Sequence, residues 1–215
     1  MTPLVERLTT DFLPLFLAGM AVNFEIAAIA IAVGLAIGLV LASGRYAGGV
    51  AGGVAASVVA LMRAAPTFVV MFFLLNTIPR DASLFGVPVA LSGVMTVALS
   101  LVPYSAAYIS DSGVDAIRQL HGGSRLGALL FLPNVTRAFF VLVMSSSAGA
   151  AIGVTEGITV ILRQAEQLPA LDDRLVLFAL GIVLFGIPLQ AGFAVMRWFQ
   201  RRLGRAAVRV EPEAS

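Results

Sequence analysis

From Ile26 to Gly44 the chain carries no charged side chain, and the same holds from Tyr46 to Met62, Ala64 to Pro79, Ala82 to Ser110, Ala138 to Thr155 and Leu175 to Met196. A bilayer core about 30 Å thick is crossed by roughly 20 apolar residues in a helix, and each backbone amide there must find its partner inside the segment. Uncharged runs of this length, without strand alternation, specify membrane helices and disfavour a β-barrel. The composition agrees: 59% of residues are hydrophobic, 12% are charged and the mean hydropathy is +0.97. A domain that solvates its own surface does not look like this.

The runs predict an all-α integral membrane protein of five transmembrane helices, at about 17–44, 54–79, 88–117, 134–157 and 175–199. They form one domain over 1–205, with 206–215 expected as a disordered tail. Arginine placement orients the bundle. Arg45, Arg118, Arg125, Arg137, Arg197, Arg201, Arg202, Arg205 and Arg209 fall on one side, against Arg7, Arg80, Arg163 and Arg174 on the other. The positive-inside rule then puts the carboxyl terminus in the cytoplasm and the amino terminus outside. Trp198, followed by Arg201 and Arg202, reads as an interfacial anchor. The start, Met1-Thr-Pro-Leu-Val-Glu-Arg, lacks a basic n-region, so the first span is expected to be retained. The outer stretch "LRQAEQLPALDDR" mixes signs and holds Pro169, which predicts a short ordered loop or surface helix.

Several chemistries are excluded. With no cysteine there is neither a disulfide framework nor a thiolate metal site, and a single histidine rules out a multi-histidine site. No metal or cofactor is expected. Every basic residue is arginine, so a phosphate loop of the G-x-x-x-x-G-K-[ST] kind cannot exist here. The net charge of +2 and isoelectric point near 9.7 reflect arginines beside apolar runs, not a nucleic-acid-binding face.

What remains are isolated polar and small residues. Arg63 interrupts the second helix, and an intramembrane charge must face a cavity or a carboxylate, or else snorkel to the interface. Pro66, three residues on, lacks the backbone donor and suggests a broken helix. Glu25 and Glu156 read as helix-end acids, and Asp115 is spaced to pair with Arg118. Gly34 and Gly38 form one G-x-x-x-G, and Gly149, Gly153 and Gly157 two more in tandem, preceded by three serines. Such small residues read as helix-packing positions. The stretch "QLHGGSRLGALLFLP", from Gln119 to Pro133, is a polar, Gly-broken hinge on the cytoplasmic side, and its His121 reads as a solvated or capping group.

In order along the chain come "MRAAPTFVVMFFL", "LSLVPYSAAYISD", "FLPNVTRA" and "SAGAAIGVTE". This order resembles the membrane subunits of ABC importers for polar amino acids. That family typically shows R-G-T-P, A-A-Y-x-A-E, a cytoplasmic E-A-A…G…L-P coupling loop and a late I-G-x-x-E. The matching positions here are Arg63 and Pro66, then Ala106-Ala107-Tyr108 with Asp111 in place of Glu, then Leu132-Pro133 with Arg137, then Ile152-Gly153 with Glu156. The E-A-A is missing: counted back from Leu-Pro, it would fall on Val114, Asp115 and Ala116, within the third helix.

The resemblance implies a permease subunit that moves an amino acid or similar polar solute across the inner membrane of a bacterium. Its expected partners are a second permease subunit, identical or not, two ABC ATPase subunits that hydrolyse ATP, an extracytoplasmic solute-binding protein and the lipid bilayer. The expected pathway residues are Arg63, Thr67, Tyr108 and Asp111. ATPase coupling is expected over 118–133, through Arg118, His121, Gly122, Gly123, Arg125, Gly127, Leu132 and Pro133. The shortened loop leaves open a degenerate, non-transporting partner of a sister permease. An independent channel or secondary carrier is less favoured, since the halves show no repeat.

Overall fold

The computed structural model describes residues 8–78, 83–84, 87–88 and 90–210. Arg7, Pro79, Arg80 and the last tail residues, 211–215, lie outside the described residues. A π-helical turn, Leu8–Phe12, leads into α1 (Leu13–Ala47); α2 (Gly49–Ala64) and α3 (Thr67–Thr77) follow. After the two-residue strands β1 (Ser83–Leu84) and β2 (Val87–Pro88) come α4 (Gly93–His121), the short α5 (Arg125–Leu129) and α6 (Phe131–Ser145). A 3-10 helix (Ser146–Ile152), α7 (Gly157–Glu166) and α8 (Leu171–Val210) complete the chain. Four helical segments are long and apolar enough to cross a membrane, and α2 with α3, bent by 92°, makes a fifth if the pair is counted as one span.

α1 and α4 form the axis of the molecule. α1 buries Phe16, Met20, Asn23, Ala27, Ala30, Gly34, Gly38 and Ala42, a stripe at helical spacing whose later members are all small. A Cβ on Gly34 would fall inside the Ser105 side chain; on Gly38 it would lie 2.7 Å from the Ile109 Cβ and 2.8 Å from the Ala106 carbonyl oxygen. Further along, a Cβ on Gly113 would come 2.9 Å from that of Ala42. Small residues thus bring the two backbones together, the usual device for helix pairs in lipid. Gly34, Gly38 and Ala42 meet Ser105, Ile109 and Gly113 in ascending order, so the two helices run parallel. The chain between them must come back to the starting side, and α2 and α3 are the helices described on that return.

Two apolar clusters flank this axis. One gathers Ile26, Ala27 and Ala30 with Val97, Leu101, Leu142 and Leu189. The other, toward the start of α1, joins Phe12, Phe16 and Met20 to Val160, Ile161 and Leu177 of α7 and α8. The stretch read as a loop or surface helix is thus divided: its first residues, 162–166, end the amphipathic α7, which lies on the first helix, 167–170 form a short turn, and 171–174 open α8.

Several expected boundaries shift, each for a local reason. The first helix starts at Leu13, because Pro14 is tolerated in an opening turn, and this leaves Glu25 exposed in mid-helix and not at an end. The second is two helices: Pro66 holds Ala65 extended, at φ −72° and ψ 113°. Its first half begins at Gly49, after Gly48 and Gly49 at φ 73° and 59°, a conformation glycine adopts without steric cost. The third helix waits for a proper cap, the Ser92 hydroxyl accepting from the Met95 amide at 3.1 Å.

The fourth expected helix, 134–157, starts at Phe131 and is no longer α-helical past Ser145. There the Ser146 hydroxyl donates back to the Val143 carbonyl at 2.7 Å, and Gly153, at φ 82°, turns the chain. The tandem glycines consequently form no helix stripe. Gly149 sits in the 3-10 helix against Val154, Gly153 makes the turn in open space, and Gly157 opens α7 against Phe185. The last helix extends past the expected boundary at 205 to Val210; after Gly204 no glycine or proline occurs before Pro212.

Candidate functional site

Two polar centres interrupt this apolar bundle. The first lies where α1 ends, α2 breaks and α4 passes between them. Arg45 Nη1 donates to Asp111 Oδ1 at 2.8 Å and to Ser110 Oγ at 3.1 Å. Arg63, in the last turn of α2, donates to the other carboxylate oxygen of Asp111. One acid on α4 therefore ties two arginines from two other helices. Their side chains are unequally covered, 27% exposed for Arg45, 44% for Asp111 and 61% for Arg63. The centre is only partly covered by the rest of the chain and carries one surplus positive charge, so its ion pairs are weaker than buried ones.

Tyr108 lies one turn before Asp111, and its ring stacks on Tyr104 with centroids 6.3 Å apart. Tyr104, Tyr108 and Asp111 share one stripe of α4 at helical spacing. Thr67, the first residue of α3, is half-buried just past the break. Arg63 and Asp111, singled out separately from the sequence, thus meet, with Tyr108 alongside. Arg45 was read only as an orienting charge and Tyr104 not at all, although the spacing of the tyrosines four apart was a usable signal.

The second centre is sealed. Asn23, Ser146 and Glu156 are all 0% exposed. Asn23 Nδ2 donates to Ser146 Oγ at 2.8 Å and to Glu156 Oε2 at 3.0 Å, while its Oδ1 accepts from the Gly157 amide at 3.0 Å. Glu156 caps α7, accepting from the amides of Ile158 at 2.9 Å and Thr159 at 2.8 Å. The helix N-terminus favours an acid there, and the amides replace the water it gave up. Gly19 of α1 fits against this cap so closely that a Cβ would lie 2.8 Å from the Glu156 carbonyl carbon. The lone Asn23 within an apolar helix was the sequence signal that was missed.

The expected coupling stretch is more ordered than a hinge. α4 continues through Arg118, 3.7 Å from Asp115, to His121. The His121 ring stacks on Tyr46 at 4.9 Å, and its Nδ1 lies 3.0 Å from the Ile117 carbonyl oxygen. The Gly122 amide closes the helix onto the Arg118 carbonyl at 2.9 Å, and Gly123, at φ 85°, reverses the chain. Ser124 then caps α5, its hydroxyl accepting from the Gly127 amide at 3.1 Å. Gly127 is pressed there: a Cβ would lie 2.7 Å from the Gln119 Oε1. Leu132 is exposed and Pro133 buried in the first turn of α6.

At the opposite end, a cavity of about 530 Å³ opens between the end of α3 and the start of α4, lined by Leu74, Ile78, Ser92, Thr96 and Thr155. Arg63 does not line it. Among the described residues no three histidine, aspartate or glutamate side chains converge as metal ligands.

No protein-family model matches the sequence, and no curated protein does. The fold does have a likeness. A chain from the crystal structure of an amino acid ABC transporter with histidines superposes with a TM-score of 0.65 at 18% identity, over 90% of this chain and 99% of that one. The chain is a multi-pass membrane protein with an ABC-permease-like helical fold.

Proposed function

We propose that the chain is a transmembrane permease subunit of an ATP-driven ABC importer, carrying an amino acid or similar small polar solute across the cytoplasmic membrane of a bacterium. The observation that carries this reading is the fold likeness over nearly the whole of both chains. The Arg45–Asp111–Arg63 centre at the break between α2 and α3 supports it, because it puts charge beside a helix break within the bundle. In this reading Arg63, Thr67, Tyr108 and Asp111 face the solute path. The stretch 118–133 receives movement from a separate ATPase, and a solute-binding protein delivers the cargo outside. A second permease chain covers α2 and α3, which bury only Ala55, Val59 and Met71 in this subunit.

The test is purification with whatever ATPase the chain retains, followed by reconstitution into liposomes with candidate binding proteins. ATP turnover that rises with loaded binding protein, together with uptake of the same solute, is the expected result. Purification without any ATPase would remove the reading.

One observation favours a second reading, a non-transporting partner of a sister permease. α5 is only five residues long, less than two turns of helix to insert into a motor. If an extended coupling loop grafted over 118–133 leaves ATP turnover unchanged, this second reading is preferred.

A further inference from the structure

The short α5, the first turns of α6 and the end of the apolar part of α8 enclose a groove of about 380 Å³. Leu129, Leu132 and Pro133 form one wall and Val195, Met196 and Phe199 the other. Thr136 turns its hydroxyl onto the Leu132 carbonyl at 3.1 Å and so adds no free donor. Leu132 and Phe199 are 58% and 53% exposed, so no described part of the chain covers the groove. Its volume is that of a small-molecule site, and its walls admit only an apolar occupant.

Position and charge decide which one. The uncharged run of α8 ends at Met196, and Arg197, Trp198, Arg201 and Arg202 follow, which places the groove at the lipid–water boundary. Arg202 lies one turn beyond Phe199 on the same stripe of α8, its guanidinium 4.9 Å over the Trp198 ring. Arg125 lies four residues before Leu129 on α5. Neither arginine is ion-paired among the described residues. α6 has no acid, and α8 none after Asp173. An apolar slot with an arginine about one helical turn beyond each wall, neither of them ion-paired, matches an acyl chain under a negatively charged headgroup.

We propose that this groove binds an anionic phospholipid, with one acyl chain between α6 and α8 and the phosphate-bearing headgroup between Arg125 and Arg202. The lipid braces α5, which is too short to hold its helix unaided, against α8. It thereby fixes the 118–133 stretch relative to the bundle.

The test is native mass spectrometry of the full chain released from detergent, after titration with phosphatidylglycerol and with phosphatidylcholine of the same acyl chains. Phosphatidylglycerol is expected to be retained about tenfold better, from two arginines at the headgroup. The paired change Arg125→Gln and Arg202→Gln should bring it down to the phosphatidylcholine level. The Arg125→Lys and Arg202→Lys pair, which keeps both charges, should preserve the preference and so separates lost recognition from lost folding. Val195→Trp, which fills the slot, should lower retention of both lipids.

Equal retention of the two lipids by the unaltered chain would overturn the proposal, as would an undiminished preference in the glutamine pair. Displacement of the lipid by millimolar inorganic phosphate would assign the arginines to a free anion instead. Thiol labelling of Leu132→Cys that is blocked by a bound ATPase and not by phosphatidylglycerol would assign the groove to a protein.

Discussion

The two polar centres of the bundle use similar groups to opposite ends. Around Glu156, short side chains and backbone amides close on one another at full burial, and the donors that face the carboxylate are uncharged. Around Asp111, two long arginines reach across open space to one acid that stays 44% exposed. The first centre joins the start of α7 to α1 and costs dearly to disturb, because groups left unpaired there have no water to turn to. The second can exchange partners with water or a solute at little cost. The first kind fixes a frame and the second yields.

The comparison can be broken in four places, from the largest expected effect to the smallest. Glu156→Ala strands the amides of Ile158 and Thr159 and one bond of Asn23, with an expected loss of about 3 kcal/mol. The check is thermal unfolding in detergent, and the loss should not change with salt. Asp111→Asn should cost about 1 kcal/mol or less, and that cost should shrink between low and high salt as screening weakens both the lost pairs and the arginine–arginine repulsion. If the Glu156 penalty tracked salt and the Asp111 penalty did not, the division between the centres would be wrong.

Within the open centre, Arg45→Gln should destabilise more than Arg63→Gln, by a few tenths of a kcal/mol, since Arg45 is the better covered and also holds Ser110. Side-by-side melts of the two variants decide it. Smallest is Ser105→Ala. The Ser105 hydroxyl is buried with no partner among the described residues, so its removal should leave stability unchanged or raise it slightly. A large loss in that melt would mean the hydroxyl has a partner after all.

The same contrast explains what could be read from the sequence. The apolar runs located the membrane helices because burial in lipid is written residue by residue. The break at Pro66 was legible because proline restricts the residue before it wherever it occurs. Gly34 and Gly38 face α4 closely, whereas Gly149, Gly153 and Gly157 share the same spacing and lie in no common helix. Spacing presupposes a continuous helix, and the three serines before Gly149 remove that premise. Glu156 was recognisable as a cap, but its partner Asn23 lies far away in sequence. The pairing of Arg45 with Asp111 is equally nonlocal, and no periodicity within one segment reports it.

The glycine pair at 48 and 49 has a mechanical consequence. A Cβ on either residue would touch nothing within 4 Å, so backbone torsion sets the turn there, while α1 and α2 meet just beyond it, a Cβ on Gly44 lying 3.3 Å from that of Ala55. α1 and α4 interlock along a seam with no clearance and move as one keel. α2 and α3 are the boom, swung on that swivel and tied back to the keel by the stay from Arg63 to Asp111. With the stay slackened, Ala55, Val59 and Met71 are the buried side chains that still hold the boom, so the elbow is the least-held joint of the chain.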